Sequence, residues 1–430
     1  MKRLFITLSI LLIMSTMSAQ TLYTFSTDAP QGFSIETNTK SRLSLHFSVN
    51  EIGINNVSYG RFEGQEISLK DQFASSAEGL PNLPIVSRYI AVPNGASVSI
   101  EVKEKATKTL SGITLLPAAP LQMNSGAKRQ EPRYDMSVFG KDANYPSENV
   151  SIAQSTRIRG LDVVLLSVTP FRYNPVRKTL EVIYDMDIEV RFEGGDGQFG
   201  DTRYRNPAWD GILRDMVINS DMLSEAHYYD FLNEAIRNRE EGCEYLIIAP
   251  DDSAALAWAD TLKIFRTKQG ILTKVVSTAE CGGNEPTAIR NYILNAYNNW
   301  TIPPASVLML GGWRPNSSFG IKPFFCKMTS DGNTYRYPTD NPFADMNGDS
   351  IPDLAISRII AYEPNEFENM VRKTIDYELN PPTDDHYYDH PIVTSNYQED
   401  LWFMITSQSV DRFYRKQLGK HPTNLYMLYE

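Results

Sequence analysis

The residues best suited to chemistry concentrate in one stretch, Thr339 to Arg358, which reads TDNPFADMNGDSIPDLAISR. Asp345, Asn347, Asp349 and Asp353 fall at positions 1, 3, 5 and 9 of a loop that offers hard oxygen ligands at alternating places, as calcium prefers. The glycine stands at position 4, as Gly348, rather than at 6, and Ile356 occupies position 12, where a bidentate glutamate would sit. The stretch is therefore not an EF-hand. Two readings stay open for Asp345, Asn347 and Asp349: calcium ligands, or a turn in which Asx side chains cap their own backbone. Asp353 differs, because it directly precedes the apolar strand LAISR. There a carboxylate can be held by backbone donors and orient a histidine. In a Cys–His pair the thiolate attacks, the imidazole keeps it ionised and later protonates the leaving amine, and such an acid fixes the imidazole tautomer.

Other chemistry is thinly supplied. Cys243, Cys281 and Cys326 make an odd, sparse set with no zinc-ligand spacing, and the five histidines do not cluster with them. At most one bridge is available to them, and they read as buried small apolar residues. The first strand of the second half runs into APDDSAA without a glycine-rich phosphate fingerprint, which removes the main support for nucleotide binding. Gly311 and Gly312 end a later strand and read as a tight turn that could also admit a substrate backbone. A net charge of −11 over 430 residues argues against a nucleic-acid partner.

The elements that must position these residues fall into two halves. Residues 1–19 carry a basic start, a short apolar run and Ala19 before Gln20, the pattern of a secretory signal cleaved after Ala19. Residues 20–200 show period-two apolar alternation, as in RLSLHFSV and KTLEVIYDMDIEVRF, and read as an all-β sandwich or barrel. Residues 201–241 are polar and broken and read as a linker with one or two short helices. Its Arg237 and Arg239 are either a charged helix end or a processing site. From residue 242 to 430, apolar strands alternate with amphipathic helices, which predicts a mainly parallel sheet covered on both faces. Six strands are expected in it, from EYLIIAP to NLYMLYE, with functional groups at their carboxyl ends.

The ordered set CEYLIIAPDD, GILTKVVST, IRNYILNAY, ASVLMLGG and DNPFADMNGDSIPDLAISRI, followed by EFENMVRKTIDYE, resembles the first part of a gingipain-type cysteine peptidase domain. The preceding LPNLPIVSRYIAVP and NYPSENV resemble that family's propeptide. The resemblance implies a caspase-like α/β fold, an endopeptidase made as a zymogen, and secretion from a Bacteroidetes-type bacterium, with that group's secretion machinery as a partner. It implies protein or peptide substrates, the chain's own propeptide as inhibitor, bound calcium in many members but no required cofactor, and a Cys–His dyad supported by an acid. The acid matches Asp353, with Asp340 as second choice.

This chain departs from the pattern, since it has no His-Gly pair. His386, His390 and His421 lie in other contexts, none of the three cysteines follows the strand where the nucleophile belongs, and Cys326 reads as part of an irregular insert. The expectation is a truncated, inactive precursor. The alternatives are a surface adhesin or assembly protein with a dead peptidase-like domain, and a transpeptidase acting in secretion. As an inhibitor, the β-rich region is expected to lie across the carboxyl ends of the α/β strands.

Overall fold

The computed structural model describes residues 20–59, 62–70, 72, 77–118, 133–223, 225, 227–314, 317–330, 333–396 and 402–426. The signal segment and Ala19 lie outside them. Among the described residues no helix is long and apolar enough to cross a membrane.

The first half is all-β apart from one short helix, Met136–Phe139. Its largest sheet has five antiparallel strands. Thr179–Gly194 pairs with Phe171–Asn174, with Arg42–Ser48 and along its whole length with Ala96–Ser111, and Arg42–Ser48 pairs in turn with Gly32–Asn38. In Arg42–Ser48 the alternation works as written: Leu43, Leu45 and Phe47 point inward. They meet Ile90, Val164 and Leu166 from a second sheet built on Val86–Ala91 and Leu161–Val168, and Ile52, Ile54 and Ile67 from a third, in one continuous core. Burying one such side chain stabilises by roughly 1.5–3 kcal/mol, so this half has ample apolar area to be a folded unit.

The second half holds a four-stranded parallel sheet in the order Thr273–Ser277, Tyr245–Ala249, Ser306–Leu310, Ala355–Ile359. Both faces are covered, which explains the uninterrupted apolar runs. Leu246, Ile248, Val307 and Met309 pack under the helix Pro286–Asn299. Ile247, Ala249, Leu308 and Leu310 face the helices Ser253–Lys268 and Pro364–Leu379. Asp252 caps the first of these by accepting from the N–H groups of Ala254 and Ala255.

Three expectations need correction. Ile392–Ser395 and Thr423–Tyr426 do not extend the four-stranded sheet. They pair in parallel with each other across the helix Trp402–Gln417, as a separate two-stranded sheet. The stretch around Cys326 is not irregular: Phe324–Ser330 and Asn333–Thr339 form an antiparallel hairpin. The predicted linker is folded and packed. It carries the helices Pro207–Met216 and Tyr228–Arg237, and its Leu213, Val217 and Leu223 share a core with Ala91, Ile158, Leu161 and Val163 of the β-rich half. On the other side Tyr204 belongs to the α/β core, and Trp209 donates its indole N–H to the carbonyl of Ala305 at 3.0 Å. Polar composition misled here because a few large apolar residues, spaced helically, do the packing.

Candidate functional site

Asp353 is only 2% exposed, and both its carboxylate oxygens are engaged by backbone donors. Oδ2 accepts from the N–H of Met346 at 3.0 Å, within its own turn. Oδ1 accepts from the N–H of Arg159 at 2.9 Å, from the β-rich half. Burial, together with the nearby Asp349 and Asp345, pushes its carboxyl above the usual range, against those two hydrogen bonds. Asp353 is thus held by backbone donors, as the sequence predicts, but its partner is a loop of the other half, and no histidine is among its partners.

The loop is built for this contact. Thr156–Ile158 and Leu161–Val168 form a tight hairpin whose turn, Arg159-Gly160, has positive φ at both residues, +47° and +75°. Gly160 is required twice over: a Cβ there would also lie 2.4 Å from the Tyr204 ring. The turn sends the Arg159 side chain, 1% exposed, into a cage. Its guanidinium donates to the carbonyls of Tyr204 at 2.9 Å and Pro304 at 2.6 Å, and lies 5.3–5.7 Å from the ring centres of Tyr204, Trp209 and Tyr297. Sequence reasoning missed this residue. The only signal was an Arg-Gly pair between two apolar alternations.

The acidic turn completes the dock. Asp345 accepts from the N–H groups of Gly348 at 2.6 Å and Ser350 at 3.0 Å, Asn347 accepts from Asp349, and Asp349 accepts from Ile351 at 2.8 Å. Asp349 also accepts from the Thr156 hydroxyl, and the Asn347 amide donates to the carbonyl of Arg157 at 2.7 Å. These oxygens are spent on capping the turn and on holding the hairpin.

All these contacts sit at the amino ends of the parallel strands: Pro303, Pro304 and Ala305 precede Ser306–Leu310, and Asp353 precedes Ala355–Ile359. Among the described residues, these contacts of the β-rich half meet the amino ends of this sheet rather than its carboxyl ends, where they were expected. Asp340 lies on the carboxyl side instead. It holds the Arg358 guanidinium through two bonds of 2.7 and 2.8 Å, and the same guanidinium donates to the carbonyls of Gly311 and Gly312. Gly312 is a glycine because of Tyr362, whose ring would lie 1.9 Å from a Cβ there.

Among the described residues none of the cysteines is paired with a histidine. Cys243 and Cys281 are buried, and burial pushes each thiol up to about 12. Cys326 lies part-exposed on the hairpin strand, and all three are free thiols. His386 and His390 stack with ring centres 3.7 Å apart, and His421 bonds Asp389 at 2.5 Å, on an exposed patch with neither Asp353 nor Asp340. Arg237 ends its helix and Arg239 follows in a left-handed turn; both are exposed.

The chain is thus built as a β-rich half docked on a parallel α/β half through an acid and a buried arginine. Family comparison divides the chain at a similar place: the Propeptide_C25 model matches residues 24–203 and the Peptidase family C25 model matches 238–425. The chain belongs to the gingipain-type cysteine peptidase family, with a propeptide region followed by a peptidase-domain region. It is 22% identical over 388 residues to Lys-gingipain HG66 of Porphyromonas gingivalis, a match covering 85% of this chain and 21% of that protein. It is 21% identical over 357 residues to gingipain R2 of the same organism, covering 81% of this chain and 45% of that protein. The chain thus spans about a fifth to under half of these relatives. Among solved structures, one described as structural insight into zymogenic latency of gingipain K matches at 24% identity and a TM-score of 0.37, covering 41% of this chain and 100% of that one. A complex of the RgpB pro- and mature domains matches at 20% identity and a TM-score of 0.40, covering 45% and 99%. Both are from Porphyromonas gingivalis.

Proposed function

We propose that this chain is the latent precursor region of a secreted cysteine endopeptidase with a caspase-like catalytic domain, in which the β-rich half restrains the peptidase half by occupying the candidate acid. The observation that carries this reading is the bond from the Arg159 N–H to Asp353. The hairpin supplies one of the two backbone N–H groups that Asp353 accepts from and helps to bury the carboxyl, so release of the β-rich half would change the contacts of the candidate acid. Latency would then rest on the docking of the β-rich half at the amino ends of the strands, which includes the candidate acid. Proteolysis after Arg237 or Arg239 would separate the two halves covalently and prepare their release. For Asp345, Asn347 and Asp349 we favour the self-capped turn over calcium; added Ca²⁺ is expected to leave the melting temperature of this chain unchanged.

The 430-residue chain itself is expected to show no thiol-dependent cleavage of a broad peptide set, because Cys243 and Cys281 are shielded and Cys326 has no histidine partner. Cleavage that Cys326→Ser or Cys243→Ser abolishes would overturn this. The shielded thiols also favour a second reading, a surface binding or assembly protein with a peptidase-like domain. Catalysis by a fusion of this chain with the His- and Cys-bearing segment of a gingipain, lost on Asp353→Ala, would select the first reading over the second.

A further inference from the structure

Far from the dock, the outward face of the five-stranded sheet gathers a set of side chains that neither the fold nor the proposed latency uses. Asp187 lies directly opposite His46 across two paired strands. Two irregularities break the ladders on either side. Glu36 falls between the paired residues Ile35 and Thr37, and Lys105 between Glu104 and Ala106, so both are unpaired bulge residues. A bulge re-aims the side chain it carries, and here both are turned to the same spot. One ligand atom each from Glu36, His46 and Asp187 lies within 4.8 Å of the others. Lys105 reaches Asp187 at 2.5 Å and also feels Asp185 and Glu36.

The imidazole of His46 has a carboxylate on each side and is hydrogen-bonded on one. Nδ1 lies 3.0 Å from Asp187, and Nε2 lies 3.8 Å from Oδ1 of Asp185. That Asp185 oxygen is buried without a hydrogen-bond partner. Three carboxylates thus meet one ammonium and one imidazole, and one carboxylate oxygen is left unsatisfied in a site only 12% exposed at the histidine. Such an arrangement is under-neutralised, and desolvated anionic oxygens are costly without a counter-charge.

We propose that Glu36, His46 and Asp187 bind a divalent transition-metal cation of the zinc type. Asp185 orients the imidazole from behind, and Lys105 holds the place of the cation in its absence. An imidazole beside carboxylates suits zinc-like ions better than calcium, which takes oxygen alone. Ligation through Nδ1 leaves Nε2–H on the side of Asp185, 3.8 Å away, where a small side-chain adjustment completes the carboxylate–histidine–metal arrangement that fixes tautomer and ring orientation. Bonds of ~2.1 Å place tetrahedral ligands ~3.4 Å apart, so the set needs only side-chain adjustment to close.

The test is calorimetric titration of the chelator-stripped full chain with ZnCl₂. One site lost in His46→Ala and weakened at least tenfold in Glu36→Gln is expected. Asp185→Asn should weaken it about tenfold, as loss of the carboxylate behind a ligating histidine does, and Lys105→Met should tighten it by removing the competing ammonium. Glu36 is exposed, so its variant keeps the test valid if His46→Ala fails to fold. Absence of zinc binding overturns the proposal. So does binding that Glu36→Gln and Lys105→Met leave unchanged, as would arise from the surface histidines His386, His390 and His421.

Discussion

Asp353 illustrates how a residue can be singled out by its place before an apolar strand while its contacts come from far along the chain. Its carboxyl is pushed up by burial, so the sign of its effect on stability is fixed. The stabilisation it contributes is fully present below the usual aspartate pKa of about 3.9 and is lost as pH rises through its higher folded value. Asp353→Asn keeps one acceptor and turns an amide toward the N–H of either Arg159 or Met346, at a cost of about 1–3 kcal/mol. The deficit of the variant relative to the parent is expected to narrow as pH is raised from about 4 to 7. Urea denaturation of both proteins across that range checks it; a deficit that widens with pH would show that the carboxylate is favoured when ionised, against the burial argument.

At the level of elements, the hairpin ending at Arg159-Gly160 joins the two halves, and Gly160 is its most sensitive backbone position. Ala there would have to adopt a positive φ and displace the Tyr204 ring. That ring is stacked on Tyr297 with centres 4.7 Å apart and has no room to swing. Together the strain and overpacking cost about 2–4 kcal/mol. Gly160→Ala is therefore expected to lower the melting temperature by several degrees, and scanning calorimetry decides it. An unchanged transition would mean that the hairpin does not dock as described. Alternation in the β-half and the strand–helix grammar of the α/β half were both legible, because burial on one or two faces writes itself into residue spacing. The hairpin Phe324–Thr339 was not, since its strands mix exposed aromatic and polar residues without a buried face to impose a period.

For the whole molecule, the question is whether the two halves are held by the chain or by their contacts. Residues 201–241 bury Trp209, Leu213, Tyr228 and Leu232, and the Arg159 cage lies at the same junction. A cut at Arg239, which is exposed, should therefore leave the fragments associated. After limited trypsin digestion they are expected to elute together on size exclusion in native buffer and apart in concentrated urea. Separation in native buffer would show that the junction contributes little. The same digestion of Arg159→Met should release the fragments more readily, because the variant removes a buried cation from four carbonyls, those of Tyr204, Pro303, Pro304 and Asp353, and from three rings.

The sequence by itself determined the two-part organisation, the family and the location of the acidic stretch. Those rest on local patterns: alternation, helical spacing, and a run of turn-forming aspartates before an apolar strand. Only the tertiary structure decided what the stretch does. Asp345 and Asp349 spend their oxygens on neighbouring backbone, and Asp353 is met by Arg159, 194 residues earlier in the chain. A contact of that sequence separation leaves no periodic trace. It exists because a left-handed Arg-Gly turn and a buried carboxylate are brought together by two independently folded cores.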